Sequence, residues 1–153
     1  MPYRTWAKQG HLLTFEGRTT DPKSVALMVA ELHGTYNIQS LAFDRWRIED
    51  IQRELAAIGC DVPLVPFGQG FEDISPPVDY LERLVEERRL RHGMHPVLTM
   101  AAANAKVESD AAGNRRLSKR KSTGRPLIGL TMALGVASRH EAQPAWTPLL
   151  EVV

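Results

Sequence analysis

Asp44 closes the apolar run Asn37-Ile-Gln-Ser-Leu-Ala-Phe43 and leads directly into a segment with helical spacing. Ile38, Leu41 and Phe43 mix alternating and continuous apolar positions, as a strand covered on one or both faces does. A carboxylate at the carboxyl end of such a strand stands where open α/β sheets collect ligands and catalytic groups, because strand ends are rigid and the loops beyond them vary. Aspartate is also a favoured helix N-cap, and the two roles are compatible. A second stretch with chemical potential is 115–125, where Arg115, Arg116, Lys119, Arg120, Lys121 and Arg125 place six cations in eleven residues with no carboxylate among them. On a hairpin or loop this density of cations reads either as a phosphate-binding surface or as a merely solvated loop, and the absence of acids weakens the second reading. A third is Phe67-Gly-Gln-Gly-Phe71, a glycine-flanked loop with one polar side chain. It reads either as a cradle that lets backbone approach a phosphate or as an ordinary tight turn, and it lacks the Lys-Ser/Thr that would make it a P-loop.

Other reactive residue types argue for less. The single cysteine, Cys60, has no partner for an internal disulfide, which fits a reducing compartment, and reads as a small buried apolar residue. His33, His92 and His95 show no metal-ligand spacing with a cysteine or carboxylate cluster and read as surface or helix-end residues. Glu49, Asp50, Glu72, Asp73, Glu108 and Asp110 read as helix-surface or turn residues. The opening Met1-Pro-Tyr-Arg-Thr-Trp-Ala-Lys-Gln-Gly10 has no apolar core, so neither a signal peptide nor a membrane span is expected. Nineteen basic against eighteen acidic residues give a net charge of +1, so charge matters by its distribution. At 153 residues the chain suits one domain with a core that needs no staples.

The elements that must position these residues follow in order. Leu12-Leu-Thr-Phe15 is a short strand or an extended arm. Pro22 in the first turn, Val25, Met28, Val29 and Leu32 on one face and Gly34 as the stop predict a helix from Thr20 or Asp21 to His33. The strand at 37–43 comes next, then a helix over 46–58 carried by Ile48, Ile51, Leu55 and Ile58, with Gly59 as its left-handed end. Val62-Pro-Leu-Val65 makes a further strand, and strand–helix–strand order implies parallel pairing. Its prolines push it towards an edge. Ser75 reads as the cap of the next helix, with Val78, Leu81, Leu84 and Val85 buried. Residues 96–103 read as a short helix. Asp110-Ala-Ala-Gly-Asn114 is a turn between Val107 and Leu117, and Pro126–Arg139 a closing helix with Leu127, Leu130, Met132 and Leu134 apolar. The tail 143–153 reads as an arm that docks on a partner or frays.

Six motifs now carry a resemblance. Trp6-Ala-Lys-Gln-Gly10, Tyr36-Asn-Ile-Gln39 with Ala42-Phe-Asp-Arg-Trp46, Phe67-Gly-Gln-Gly70 with Ser75-Pro76, Ala103-Asn-Ala-Lys-Val107, Lys121-Ser-Thr-Gly124 and Met132-Ala-Leu-Gly135 occur in this order. In order and rough spacing they resemble the large subunit of tailed-phage terminases, from about Tyr3 to Ala137. That subunit joins a packaging ATPase to a nuclease of ribonuclease H-like fold, which cuts concatemeric viral DNA with divalent metal ions. The resemblance implies a partial nuclease domain over 1–142 followed by the tail 143–153. It implies a mixed sheet flanked by helices that lacks the first strands of the full fold. No Walker A motif is present, so ATP hydrolysis is not expected.

By the same resemblance Asp44 matches the family's central metal-binding aspartate, with Mg²⁺ or Mn²⁺ as the ion. Lys121, Arg120 and Arg125 would then face the scissile phosphate or flanking backbone, a role read from their charge. Implied partners are double-stranded DNA, the terminase ATPase portion, the small terminase subunit and the portal, in the cytoplasm of the bacterial host. Two departures stand out. The chain begins after the strand that bears the family's first catalytic aspartate, and Arg125-Pro-Leu-Ile-Gly129 carries no carboxylate where the last one usually sits. Two ions about 4 Å apart need several anionic oxygens. Two readings therefore remain: a nuclease domain active when its missing strand comes from a longer chain or another subunit, and an inactive prophage remnant that binds DNA or serves assembly. A missing strand also predicts an exposed sheet edge, apolar surface and a homo-oligomer.

Overall fold

Leu41–Phe43 (β1) and Leu64–Pro66 (β2) pair in parallel, Leu41 beside Leu64, Ala42 beside Val65 and Phe43 beside Pro66. They lie at the middle of a computed structural model that describes residues 2–17, 19–44, 48–118 and 124–141. Side chains alternate between the two faces of a strand, and here the alternation divides two cores. Leu41 and Leu64 pack on a cluster of Ala26, Val29, Leu55 and Val62; Ala42 and Val65 pack on a larger one around Phe67, Val78, Leu81, Met132 and Val136. The parallel pair is thus covered on both faces.

The smaller cluster comes from α2 (Pro22–Thr35) and α3 (Ile48–Ala57). Pro22 occupies the first helical turn of α2, where its missing N–H is unneeded. The helix runs through Gly34 to Thr35 instead of stopping before it, and the Asp21 side chain makes no capping bond. Leu32, expected inside, is 41% exposed. Gly59, at φ +69°, adopts the left-handed conformation that the end of α3 was expected to need. Cys60 is half-buried against this cluster.

The larger cluster joins α4 (Phe71–Glu86), α5 (Pro96–Ala103), the hairpin of β3 (Val107–Ser109) and β4 (Arg115–Leu117), and α6 (Arg125–Glu141). A further short helix, α1 (Tyr3–Lys8), stands at the amino end. α4 corrects the sequence reading. It begins four residues before Ser75, with Gly70 at its N-cap, and carries Pro76 and Pro77 inside it. The prolines remove the N–H groups that would reach the carbonyls of Glu72 and Asp73 and crowd those carbonyls, yet the helix runs through them from Phe71. Ser75 is buried, and its hydroxyl accepts the backbone N–H of Arg115 at 3.0 Å. Ile74, Val78, Leu81 and Leu84 are buried as the spacing requires, but Val85 is 57% exposed.

The short helix at 96–103, the parallel pairing, and the antiparallel hairpin with its turn at 110–114 are as expected. Leu12–Phe15 forms no strand and runs as an arm, half-buried at Leu12 and exposed from Leu13 to Phe15. In place of one mixed sheet the described residues form two separate two-stranded sheets. β1 and β2 are three residues long, and nothing among the described residues pairs with the other edge of β1. The tail 143–153 lies outside the described residues.

Candidate carboxylate groove and nucleic-acid interface

The strand ladder sets the position of Asp44. Phe43 is the last residue of β1, and its carbonyl accepts the N–H of Phe67 at 2.8 Å, which ties the end of one strand to the loop that leaves the other. Asp44 follows immediately, half-buried, at the carboxyl end of the parallel pair. It lines a groove of about 470 Å³ with Ala42, Phe43, Gln69, Arg125, Ile128, Gly129 and Met132. Residues 125, 128, 129 and 132 recur at helical spacing, so one face of α6 makes the opposite wall. Gly129 leaves that wall open, since an added Cβ would meet nothing within 4 Å.

Gln69 is presented by a fixed loop. Phe67 is 1% exposed in the core, and Gly135 of α6 packs so closely on it that a Cβ there would lie 2.7 Å from the ring. The Asp73 carboxylate sits against Gly68, leaving no space for a side chain at that position unless Asp73 moves. Gly70 caps α4. Gln69 therefore carries the loop's one polar side chain into the groove, where its amide nitrogen is 3.5 Å from the Met132 sulfur.

The cations of 115–125 are not all alike. Arg115 Nη1 is 3.2 Å from Asp79 Oδ1, and Nη2 bonds Glu82, both on α4. The hydrogen bond to Glu82 holds the guanidinium pKa above its ordinary value. Arg116 donates to Glu108 from Nε and Nη2 at 3.3 and 3.1 Å, and lies 4.1 Å over the Phe71 ring. The stretch lacks acids in sequence, yet α4 and β3 supply them in space. Arg125 is exposed, lines the groove and has no ion pair among the described residues. Lys119, Arg120 and Lys121 lie outside the described residues. The structure thus brings Asp44 and Arg125 together and turns Arg115 and Arg116 towards carboxylates. Sequence reading singled out the loop of Gln69 but not its meeting with α6; the recurrence of 125, 128, 129 and 132 was the available signal.

No group of three or more His, Cys, Asp or Glu able to hold a metal occurs among the described residues. The groove offers one carboxylate and one guanidinium. A two-ion centre needs more anionic oxygen than that, so the described residues do not fit such a centre by themselves.

A mixed α/β domain with a carboxylate groove at the end of a parallel strand pair meets a match along nearly its whole length. The model for the terminase large subunit endonuclease domain matches residues 1–141, and the chain belongs to that family. It is 50% identical over 139 residues to the terminase large subunit of Enterobacteria phage HK97, a match covering 90% of this chain and 28% of that protein. It superposes on the crystal structure of the HK97 bacteriophage large terminase with a TM-score of 0.82, over 88% of this chain and 29% of that one. The chain thus spans under a third of the relative's length. Among the described residues no helix is long and apolar enough to cross a membrane.

Proposed function

We propose that this chain is the nuclease portion of a viral DNA-packaging terminase, of ribonuclease H-like fold, and that its groove holds the strand of concatemeric phage DNA that is cut. The observation that carries the reading is Asp44 at the carboxyl end of β1, facing Arg125 across one groove, in a chain of the terminase endonuclease family. Asp44 is assigned as a divalent-metal ligand, for Mg²⁺ or Mn²⁺, and the further carboxylates come from outside the described residues. Arg125 contacts a phosphate beside the cut, with Lys119, Arg120 and Lys121 on the adjoining backbone and Lys121 nearest the chemistry. The wider partners are the packaging ATPase portion, the small subunit and the portal, in the host cytoplasm.

Plasmid cleavage with Mn²⁺ or Mg²⁺, for wild type beside Asp44→Ala and with a chelator, tests this reading. Metal-dependent cutting that the substitution abolishes is the expected result. A protein that shifts DNA on a gel but never cuts would instead be a DNA-holding module. A protein that does neither at low salt would overturn the proposal.

A further inference from the structure

The loop of Gln69 is built with more constraint than a turn between a strand and a helix requires. Its first residue is bonded to β1, which leads into Asp44, its second packs against the Asp73 carboxylate, and its fourth caps a sixteen-residue helix. All of this fixes one neutral amide in a groove whose other polar groups are a carboxylate and a guanidinium. The partner of that amide is a thioether, a weak acceptor. A part-buried amide facing a weak acceptor gains most when a stronger one arrives, and bonds to charged acceptors are the stronger kind.

We propose that Gln69 is a positioning residue for DNA, its amide N–H donating to a phosphodiester oxygen held between β1 and α6. The inference rests on the groove being the DNA site, and it adds a residue whose role does not depend on a metal. Asp44 repels phosphate, and Arg125 attracts it from the α6 side of the groove only. A neutral donor on a rigid loop supplies the second point of attachment, and Gly129 leaves the space through which the backbone approaches. The amide also adds no charge near a carboxylate, whereas a lysine there would pair with Asp44.

Fluorescence anisotropy of a labelled DNA duplex, in chelator and over a salt series, tests this with wild type, Gln69→Ala, Gln69→Glu and Arg125→Ala. Gln69→Ala is expected to weaken binding about tenfold or more, the lower end for a lost bond to a charged acceptor. Its salt dependence stays that of wild type, because a neutral donor releases no counterion. Arg125→Ala weakens binding and lowers the salt slope by about one. Gln69→Glu weakens binding more than Gln69→Ala. Wild-type affinity in both Gln69 variants would overturn the role of Gln69 while leaving the groove as the DNA site. A Gln69→Ala protein with a lowered melting temperature and a lowered salt slope would also overturn it, since the residue would then be holding the groove's shape. Absence of wild-type binding would overturn this inference and the DNA site together.

Discussion

Arg115 and Arg125 carry the same charge ten positions apart and meet opposite surroundings. Arg115 spans Asp79 and Glu82, one turn apart on α4, while Arg125, at the amino end of α6, shares its groove with Asp44 and makes no ion pair among the described residues. Arg115→Ala and Arg116→Ala are therefore expected to leave the salt dependence of DNA binding nearly unchanged and to lower stability by up to about 1 kcal/mol, as half-exposed ion pairs do. The groove-facing Arg125 should behave in the reverse way, and paired salt titrations and thermal melts of the three variants check this. Asp110 is the second case in which a residue's work is local. Its carboxylate accepts the Asn114 side chain and the backbone N–H groups of Ala112 and Asn114, and the Asn114 bond leads in holding its pKa below the ordinary value. A depressed carboxylate stabilises the fold above its unfolded pKa of about 3.9 and loses that contribution as pH falls through the lower folded value. Asp110→Ala should melt below wild type at pH 7, and the gap should close in acid. The charge density of 115–125 was legible in sequence. Which charges pair inside the domain was not, because the partners of Arg115 lie 33 to 36 positions away on α4 and that of Arg116 depends on the register of the hairpin.

Within α6, two glycines should respond to the same substitution with opposite signs. Gly129→Ala places a methyl in open space and removes the helix penalty of glycine, so a stabilisation of about 0.5–1 kcal/mol is expected. Gly135→Ala drives a methyl into Phe67 and Pro77, each 2.7 Å away, and should cost about 1–3 kcal/mol. Chemical denaturation of the two variants measures both. Gly135 also explains why helix periodicity alone gave an incomplete account of α6, since its buried face includes a glycine and Thr131, whose hydroxyl donates to the Leu127 carbonyl at 2.8 Å. Strand and helix types were legible wherever apolar spacing was regular, as in α3, α5 and the 107–117 hairpin. α4 was misplaced at its start because Ser-Pro-Pro carries every local mark of a helix beginning. What overrides those marks is tertiary: Ile74, Ser75 and Pro77 are buried, which holds the first turn in helical form ahead of the prolines.

Across the whole molecule, apolar surface remains uncovered. Leu13, Phe15, Leu27, Leu32 and Tyr36 are exposed along the amino-terminal third. A second groove of about 570 Å³, far more apolar than that of Asp44, opens between α4, α5, α6 and the hairpin, with Val85, Leu98, Val107 and Leu130 on its walls. Surface of this kind on a small domain drives association, so the sedimentation coefficient is expected to rise with protein concentration. A constant monomer value at high concentration would contradict that expectation. The parallel pairing and the position of Asp44 were readable from residues 37–65 alone, while the separation into two short sheets was not, since strand length depends on neighbours that a local pattern does not name. The ladder that joins β1 to β2 has a further consequence. The N–H of Leu41 donates to the Pro63 carbonyl and that of Phe67 to the Phe43 carbonyl, so Pro66, opposite Phe43, stands where the ladder needs no N–H, and the last bond is made by Phe67, the residue that roots the Gln69 loop in the main core. A slip of one residue would exchange the two cores' side chains and withdraw Asp44 from solvent at the same stroke. The groove therefore has no loosened intermediate setting: on heating, its ligand affinity should persist without premelting and vanish in the same cooperative transition as the fold.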